Sequence, residues 1–119
     1  MSIKLFDAEL KVMEVLWKEG DLTAAQLTKI MNKETGWIRS TTYTVLKKLI
    51  DKGAVERCEP NFTCRAAVTR ESVQQGEAEE LIDRLFDGSA ELFLSAYVSS
   101  KKLSDAEIDG LRRIVEKLK

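Results

Sequence analysis

The sequence predicts a mainly helical chain with one small β-hairpin, in which a compact amino-terminal domain (residues 1–70) is followed by a second, helical one (71–119). Three observations carry this. Apolar residues recur at intervals of three and four along most of the chain, the spacing of one helix face. The pattern turns to short alternation only between Ala54 and Val68, around the single proline, Pro60. Glycines and Ser/Thr-x-x-Glu/Gln capping boxes stand where the helical segments must stop or start.

Asp7 to Glu19 sets Phe6, Leu10, Met13 and Trp17 at helical spacing with Leu16 on the flank, and Gly20 stops the segment. Trp17 is in register with that stripe and is expected to pack rather than to offer a stacking platform. Thr23-Ala24-Ala25-Gln26 is a capping box opening a second helix, whose apolar face is Leu27, Ile30 and Met31. That helix is expected to end near Asn32 or Lys33, with Glu34-Thr35-Gly36 as a turn. The connection to the third helix is then longer than the turn of about three to four residues in the simplest helix-turn-helix.

Gly36 to Arg57 carries the chemistry. On a wheel of about 100° per residue, Thr42, Val45, Leu46 and Leu49 fall on one side and Ser40, Tyr43, Thr44, Lys47 and Lys48 on the other. Short hydroxyls near a helix amino terminus suit base edges and phosphates, and lysines one or two turns later suit phosphates. Gly53 stops the helix as a left-handed cap, and Ala54 begins a strand.

Ala54 to Val68 reads as the hairpin. Pro60 pre-sets φ for the first central position of a type I turn, and Asn61 is a common turn residue. Three helices followed by a hairpin is the winged-helix arrangement, with the hairpin beside the recognition helix. Arg57 and Arg65 are its candidate phosphate or minor-groove contacts, and the alternative is that they are solvated. Cys58 and Cys64 flank the hairpin tip. Two thiols in a chain without histidine fall short of the four ligands of a structural zinc site, so no metal site is expected. A reducing cytosol disfavours a disulfide, and ordinary strand positions are preferred over a redox or metal-sensing role. Whether the two face each other depends on loop length: a two-residue loop offsets them, a three-residue loop sets them opposite.

Thr69 to Ser72 looks like a capped helix start, and Glu71 to Asp87 carries Val73, Leu81, Ile82, Leu85 and Phe86 among many acidic residues. Gly88-Ser89 interrupts it. Ala90 to Val98 is strongly apolar, and Ser99 to Lys102 makes a polar loop. Ser104-Asp105-Ala106-Glu107 is a second capping box, and Ile108, Leu111, Val115 and Leu118 follow at 3-4-3 spacing with Ile114 on the edge. That is an a/d seam. A seam this short cannot sustain a solitary coiled coil, so it packs on something, most economically on a second copy of the chain. The candidate dimerisation residues are Leu81, Leu85, Leu92, Phe93, Ile108, Leu111, Val115 and Leu118.

Composition narrows the function classes. Charged residues are 33% and hydrophobic ones 44%, a globular balance. No apolar run approaches the roughly 20 residues of a membrane span and no signal-peptide pattern opens the chain, so a cytoplasmic protein without a membrane partner is expected. Net charge is −1, but it is unevenly spread. Four lysines and arginines stand against five acids over residues 1–32, eight against four over 33–70, and seven against eleven over 71–119, giving −1, +4 and −4. A basic middle on an acidic chain is what a local anion-binding face would show. An enzyme is the weakest reading: there is no histidine and no glycine-rich phosphate loop, and the carboxylates are scattered. No cofactor is implied.

Three blocks carry a resemblance. They are Ala8-Glu9-Leu10-Lys11-Val12-Met13-Glu14-Val15-Leu16-Trp17; Trp37 with Ser40-Thr41-Thr42-Tyr43-Thr44-Val45-Leu46-Lys47-Lys48-Leu49 and Lys52-Gly53; and Leu103-Ser104-Asp105-Ala106-Glu107-Ile108. In order and spacing the chain resembles the penicillinase-repressor (BlaI/MecI) family of winged-helix regulators, which also includes copper-responsive repressors. The resemblance implies a homodimer with interlocked carboxyl-terminal helices, each amino-terminal domain taking half of a palindromic double-stranded DNA operator. It matches Ser40, Thr41, Tyr43, Thr44 and Lys47 to the positions that reach DNA. The candidate DNA-binding set is therefore Arg39, Ser40, Thr41, Tyr43, Thr44, Lys47, Lys48, Arg57 and Arg65. Two features of the family are missing. The antibiotic-responsive branch is cleaved at an Asn-Phe bond where this chain reads Leu94-Ser95-Ala96-Tyr97, and the copper-responsive branch has Cys-x-Cys motifs where this chain has no cysteine after Cys64. The expected function is a sequence-specific transcriptional repressor with an unassigned inducer. The alternative is a protein-interaction module built on the same fold.

Overall fold

The computed structural model describes residues 3–100 and 102–118; Lys101, in the expected polar loop, lies outside them. Among the described residues the order is α1 (Asp7–Glu19), β1 (Leu22–Thr23), α2 (Ala24–Thr35), α3 (Arg39–Lys52), β2 (Val55–Cys58), β3 (Thr63–Ala66), α4 (Arg70–Leu85), α5 (Ala90–Ser100) and α6 (Asp105–Lys117). The chain forms two compact units, one up to Glu80 and one from Leu81.

In the first unit α1, α2 and α3 pack with a three-stranded antiparallel sheet of order β1-β3-β2, a winged helix. Val12, Met13, Leu16, Leu27, Met31, Leu46, Leu49, Val55 and Cys64 are buried at its centre. Burying a side chain of this size stabilises by about 1.5–3 kcal/mol, so the cluster dominates the unit's stability. Trp17 packs beside it, and its indole Nε1–H donates to the Val68 carbonyl at 2.9 Å, tying α1 to the end of the hairpin. Both capping boxes form: the Thr23 hydroxyl accepts from the Gln26 amide and the Ser104 hydroxyl from the Glu107 amide.

Several expectations are corrected. Phe6 is the N-cap of α1 rather than part of its stripe, and it is exposed; the buried face is Glu9, Val12, Met13, Val15 and Leu16. Helix α2 runs on to Thr35, where the Thr35 hydroxyl donates to the Met31 carbonyl at 2.6 Å and Gly36, at φ 78°, closes the helix in the left-handed region. The connection to α3 is therefore three residues, 36–38, within the short range of a simple helix-turn-helix. Helix α5 continues through Ser99 and Ser100. The hairpin tip is a four-residue connection, 59–62, with a cis Glu59–Pro60 peptide bond instead of a type I turn with Pro60 in its first central position.

In the second unit Phe86 meets Phe93 edge-on, and Phe93 stacks on Tyr97. Neither α5 nor α6 has a fully buried residue. Leu85, Leu92, Leu94, Tyr97, Leu111, Ile114, Val115 and Leu118 are all exposed, while Leu81, Phe93 and Ile108 are half-buried. No helix among the described residues is long and apolar enough to cross a membrane.

Candidate nucleic-acid interface

Helix α3 is anchored by its inner face. Thr42, Val45, Leu46 and Leu49 are buried, and the helical rotation then turns Arg39, Ser40, Thr44, Lys47 and Lys48 to the outside, all exposed. Thr41 and Tyr43 are half-buried at the margins of that outer face. The Thr44 hydroxyl donates to the Ser40 carbonyl at 2.9 Å, which leaves its oxygen lone pairs directed away from the helix as acceptors. At the amino terminus the N-cap is Ile38, which has no side-chain acceptor, so no side chain of α3's own cap competes with an anion there. At the other end Gly53 takes φ 80°, and the Ala54 amide bonds the Leu49 carbonyl, turning the chain directly into the wing.

The wing is joined to α3 by aromatic and cationic groups in sequence. The Arg39 guanidinium lies 5.2 Å from the Tyr43 ring centroid, with Nη2 3.4 Å from the Tyr43 hydroxyl. The Tyr43 ring meets Phe62 edge to face, centroids 5.7 Å apart and planes at 75°. Arg57 then stacks over Phe62 at 3.8 Å and donates through Nε to the Glu59 carboxylate at 2.6 Å. Phe62 was not among the sequence candidates. An aromatic residue at the foot of a turn between two arginine-bearing strands was the one available signal, and its partner is nineteen positions away in the chain.

Strand register separates the two wing arginines. Arg57 pairs with Cys64, and Glu56 with Arg65. Cross-strand partners share a face and successive residues alternate, so Arg57 and Arg65 leave opposite faces of the hairpin. Arg65 is held at 3.2 Å by Asp21, next to β1, in a pair exposed on both sides. The structure thus links Arg57 through Phe62 to Tyr43 and from there to Arg39, while Arg65 leaves the other face of the hairpin and pairs with Asp21.

The same register decides the cysteine geometry. Cys58 pairs with Thr63, one position from Cys64, so the four-residue connection puts the two thiols on opposite faces. Cys64 is buried, and burial pushes its thiol up to about 11, with Arg57 pulling it down and Cys58 adding to the rise. A thiol so protonated is a poor nucleophile at neutral pH. Among the described residues no group of three or more His, Cys, Asp or Glu side chains is placed to hold a metal ion.

Similarity in sequence covers nearly the whole chain, and similarity to two solved structures about three fifths of it. A family model described as Penicillinase repressor matches residues 5–117. The penicillinase repressor of Bacillus licheniformis is 26% identical over 118 residues, 98% of this chain and 92% of that protein. The solution structure of the DNA binding domain of the repressor BlaI is similar at a TM-score of 0.55 and 29% identity, over 60% of this chain and 93% of that one. The solution structure of monomeric Bacillus licheniformis BlaI in complex with the blaP half-operator is similar at a TM-score of 0.51 and 30% identity, over 58% of this chain and 87% of that one.

Proposed function

This chain belongs to the penicillinase repressor family, and from that premise we propose that it is a sequence-specific DNA-binding transcriptional repressor, acting in the cytoplasm as a homodimer on a palindromic operator. The observation that carries the reading is the outer face of α3. Ser40 and Thr44 offer hydroxyls of the kind that read base edges, Lys47 and Lys48 offer charge to phosphates, and Arg57 of the wing is joined to Tyr43 through Phe62. A related repressor in complex with its half-operator supports the assignment of duplex DNA as the partner. Residues 1–70 read the DNA and residues 71–119 assemble the dimer. The eight exposed apolar side chains of the second unit, from Leu85 to Leu118, support this because a single copy leaves them in water.

The test is selection of bound duplexes from a random pool by the full chain, followed by affinity measurements on the winning site. The expected result is a two-fold symmetric sequence bound with an affinity that falls steeply with salt, as counterion release requires. A pool that enriches no palindrome would favour the interaction-module alternative. If Lys47→Ala and Arg57→Ala both left the affinity and its salt slope unchanged, the assigned face would be wrong.

A further inference from the structure

We infer that Phe62 is a positioning residue, which locks the wing against the recognition helix so that Arg57 meets the same duplex that α3 reads; this rests on the DNA-binding function proposed above. Three contacts converge on it. Its ring makes a T-shaped contact with Tyr43 on α3, centroids 5.7 Å apart, and lies under the Arg57 guanidinium of β2 at 3.8 Å. Its carbonyl accepts from the Ala24 amide at 2.9 Å, at the first residue of α2. One residue therefore ties both helices of the helix-turn-helix to the wing.

The backbone supports the same conclusion. Phe62 sits at φ 47°, a region unfavourable for a side chain with a Cβ and rare for a bulky one. Such a conformation persists where the surroundings over-determine it, and here the determinants are the α2 amide, the Tyr43 ring and the Arg57 guanidinium. Phe62 is half-buried: it packs against the margin of the core while its ring also meets Tyr43 and Arg57. A guanidinium lying over an aromatic ring can still offer its N–H groups to a planar or tetrahedral anion. On Arg57 the Nε–H is held by Glu59, an exposed carboxylate that a phosphate can replace.

The experiment compares the full-length parent chain with Phe62→Leu, Phe62→Tyr, Arg57→Ala and the double variant Phe62→Leu/Arg57→Ala, each titrated on the selected operator at several salt concentrations. Phe62→Leu is expected to bind about tenfold more weakly, with a salt slope shallower by about one, the signature of one lost phosphate contact. Phe62→Tyr keeps the ring and restores both values. In the double variant the leucine adds nothing to the Arg57→Ala loss, because Phe62 acts through Arg57. Unchanged binding by Phe62→Leu, or a leucine penalty of equal size with and without Arg57, would overturn the inference. Thermal melts check folding, and if the leucine variant melts early, Phe62→Met carries the same comparison. A parent chain that selects no DNA fails the underlying repressor reading, and that failure is visible before any variant is made.

Discussion

Glu9 of α1 and Lys52 of α3 meet at 2.6 Å across 43 positions of sequence, with the carboxylate side chain only 4% exposed and the lysine 29%. The same Glu9 Oε1 accepts the Phe6 amide at 2.8 Å, and Lys52 Nζ also donates to the Lys4 carbonyl at 2.8 Å. Glu9 Oε2 has no hydrogen-bond partner among the described residues. A buried carboxylate that loses its cation is left with its desolvation cost uncompensated. Lys52→Met is therefore expected to destabilise the first unit by about 1–3 kcal/mol, less than a fully buried pair would cost because the lysine is partly solvated. Glu9→Gln combined with Lys52→Met should recover part of that loss. Urea denaturation midpoints measure both, and equal midpoints for the parent and Lys52→Met would show that the pair contributes nothing.

At the wing tip, Glu59 places a negative charge on the edge of Arg57 that a phosphate would occupy. The pair is exposed on both sides, so its contribution to stability is small, about 0–1 kcal/mol. Its effect on DNA is long-range repulsion plus competition for Arg57. Glu59→Gln should leave the melting temperature unchanged and tighten operator binding about two- to fivefold at low salt, with the gain shrinking as the screening length falls. Asp21→Asn, which frees Arg65 on the opposite hairpin face, should change affinity less. Titrations at two ionic strengths distinguish the cases, and a larger gain from Asp21→Asn would move the DNA-facing side of the wing to Arg65.

Much of this arrangement was legible in the sequence because it is local. The burial of Thr42, Val45, Leu46 and Leu49 follows from a period of 3.6, the caps at Thr23 and Ser104 from a four-residue motif, and the stop at Gly53 from the lack of a Cβ. What escaped depends on contacts between distant positions. The Glu9–Lys52 ion pair and the Phe62–Tyr43 ring contact went unpredicted because in each the partner lies on another element, far along the chain. Helix α2 was read short since Asn32 to Thr35 has no apolar residue to mark the face, and β1 was missed since two residues form a strand only when β3 lies alongside. Arg57 and Arg65 could be separated only by the strand register, which a four-residue connection sets.

The thiols make a pH-dependent prediction. Cys64 is protonated in the folded chain up to about pH 11, whereas an unfolded thiol titrates near 9. The folded state therefore binds the proton more tightly. Its advantage is undiminished below pH 9 and is lost progressively as pH rises from about 9 to about 11. Cys64→Ala should remove that part of the alkaline destabilisation. At neutral pH half-buried Cys58 should react with a thiol reagent well before Cys64. Because the two point from opposite faces, mild oxidant should form no intramolecular disulfide and leave operator affinity unchanged. A Cys58–Cys64 crosslink found by mass spectrometry would contradict the register.

The seam on α6 supplies the sharpest test of assembly. Val115 is 53% exposed and Leu118 83% exposed, so in a single chain neither contributes much to folding. A charge placed on them should change the stability of one copy by no more than about 0.5 kcal/mol, the usual range for surface substitutions. In a homodimer the same charge would be buried against an apolar partner surface without a counter-ion. Val115→Glu is therefore expected to shift sedimentation from dimer to monomer while helical content holds. The loss should extend to DNA: with the two reading units no longer linked, the advantage of a full palindrome over a half-site, about 10²-fold or more when linkage geometry is favourable, should collapse towards one. Sedimentation velocity and paired titrations on full and half sites read the two effects separately. A Val115→Glu chain that stays dimeric would place the assembly surface elsewhere, on the exposed side chains of α4 and α5 such as Leu85 and Leu92.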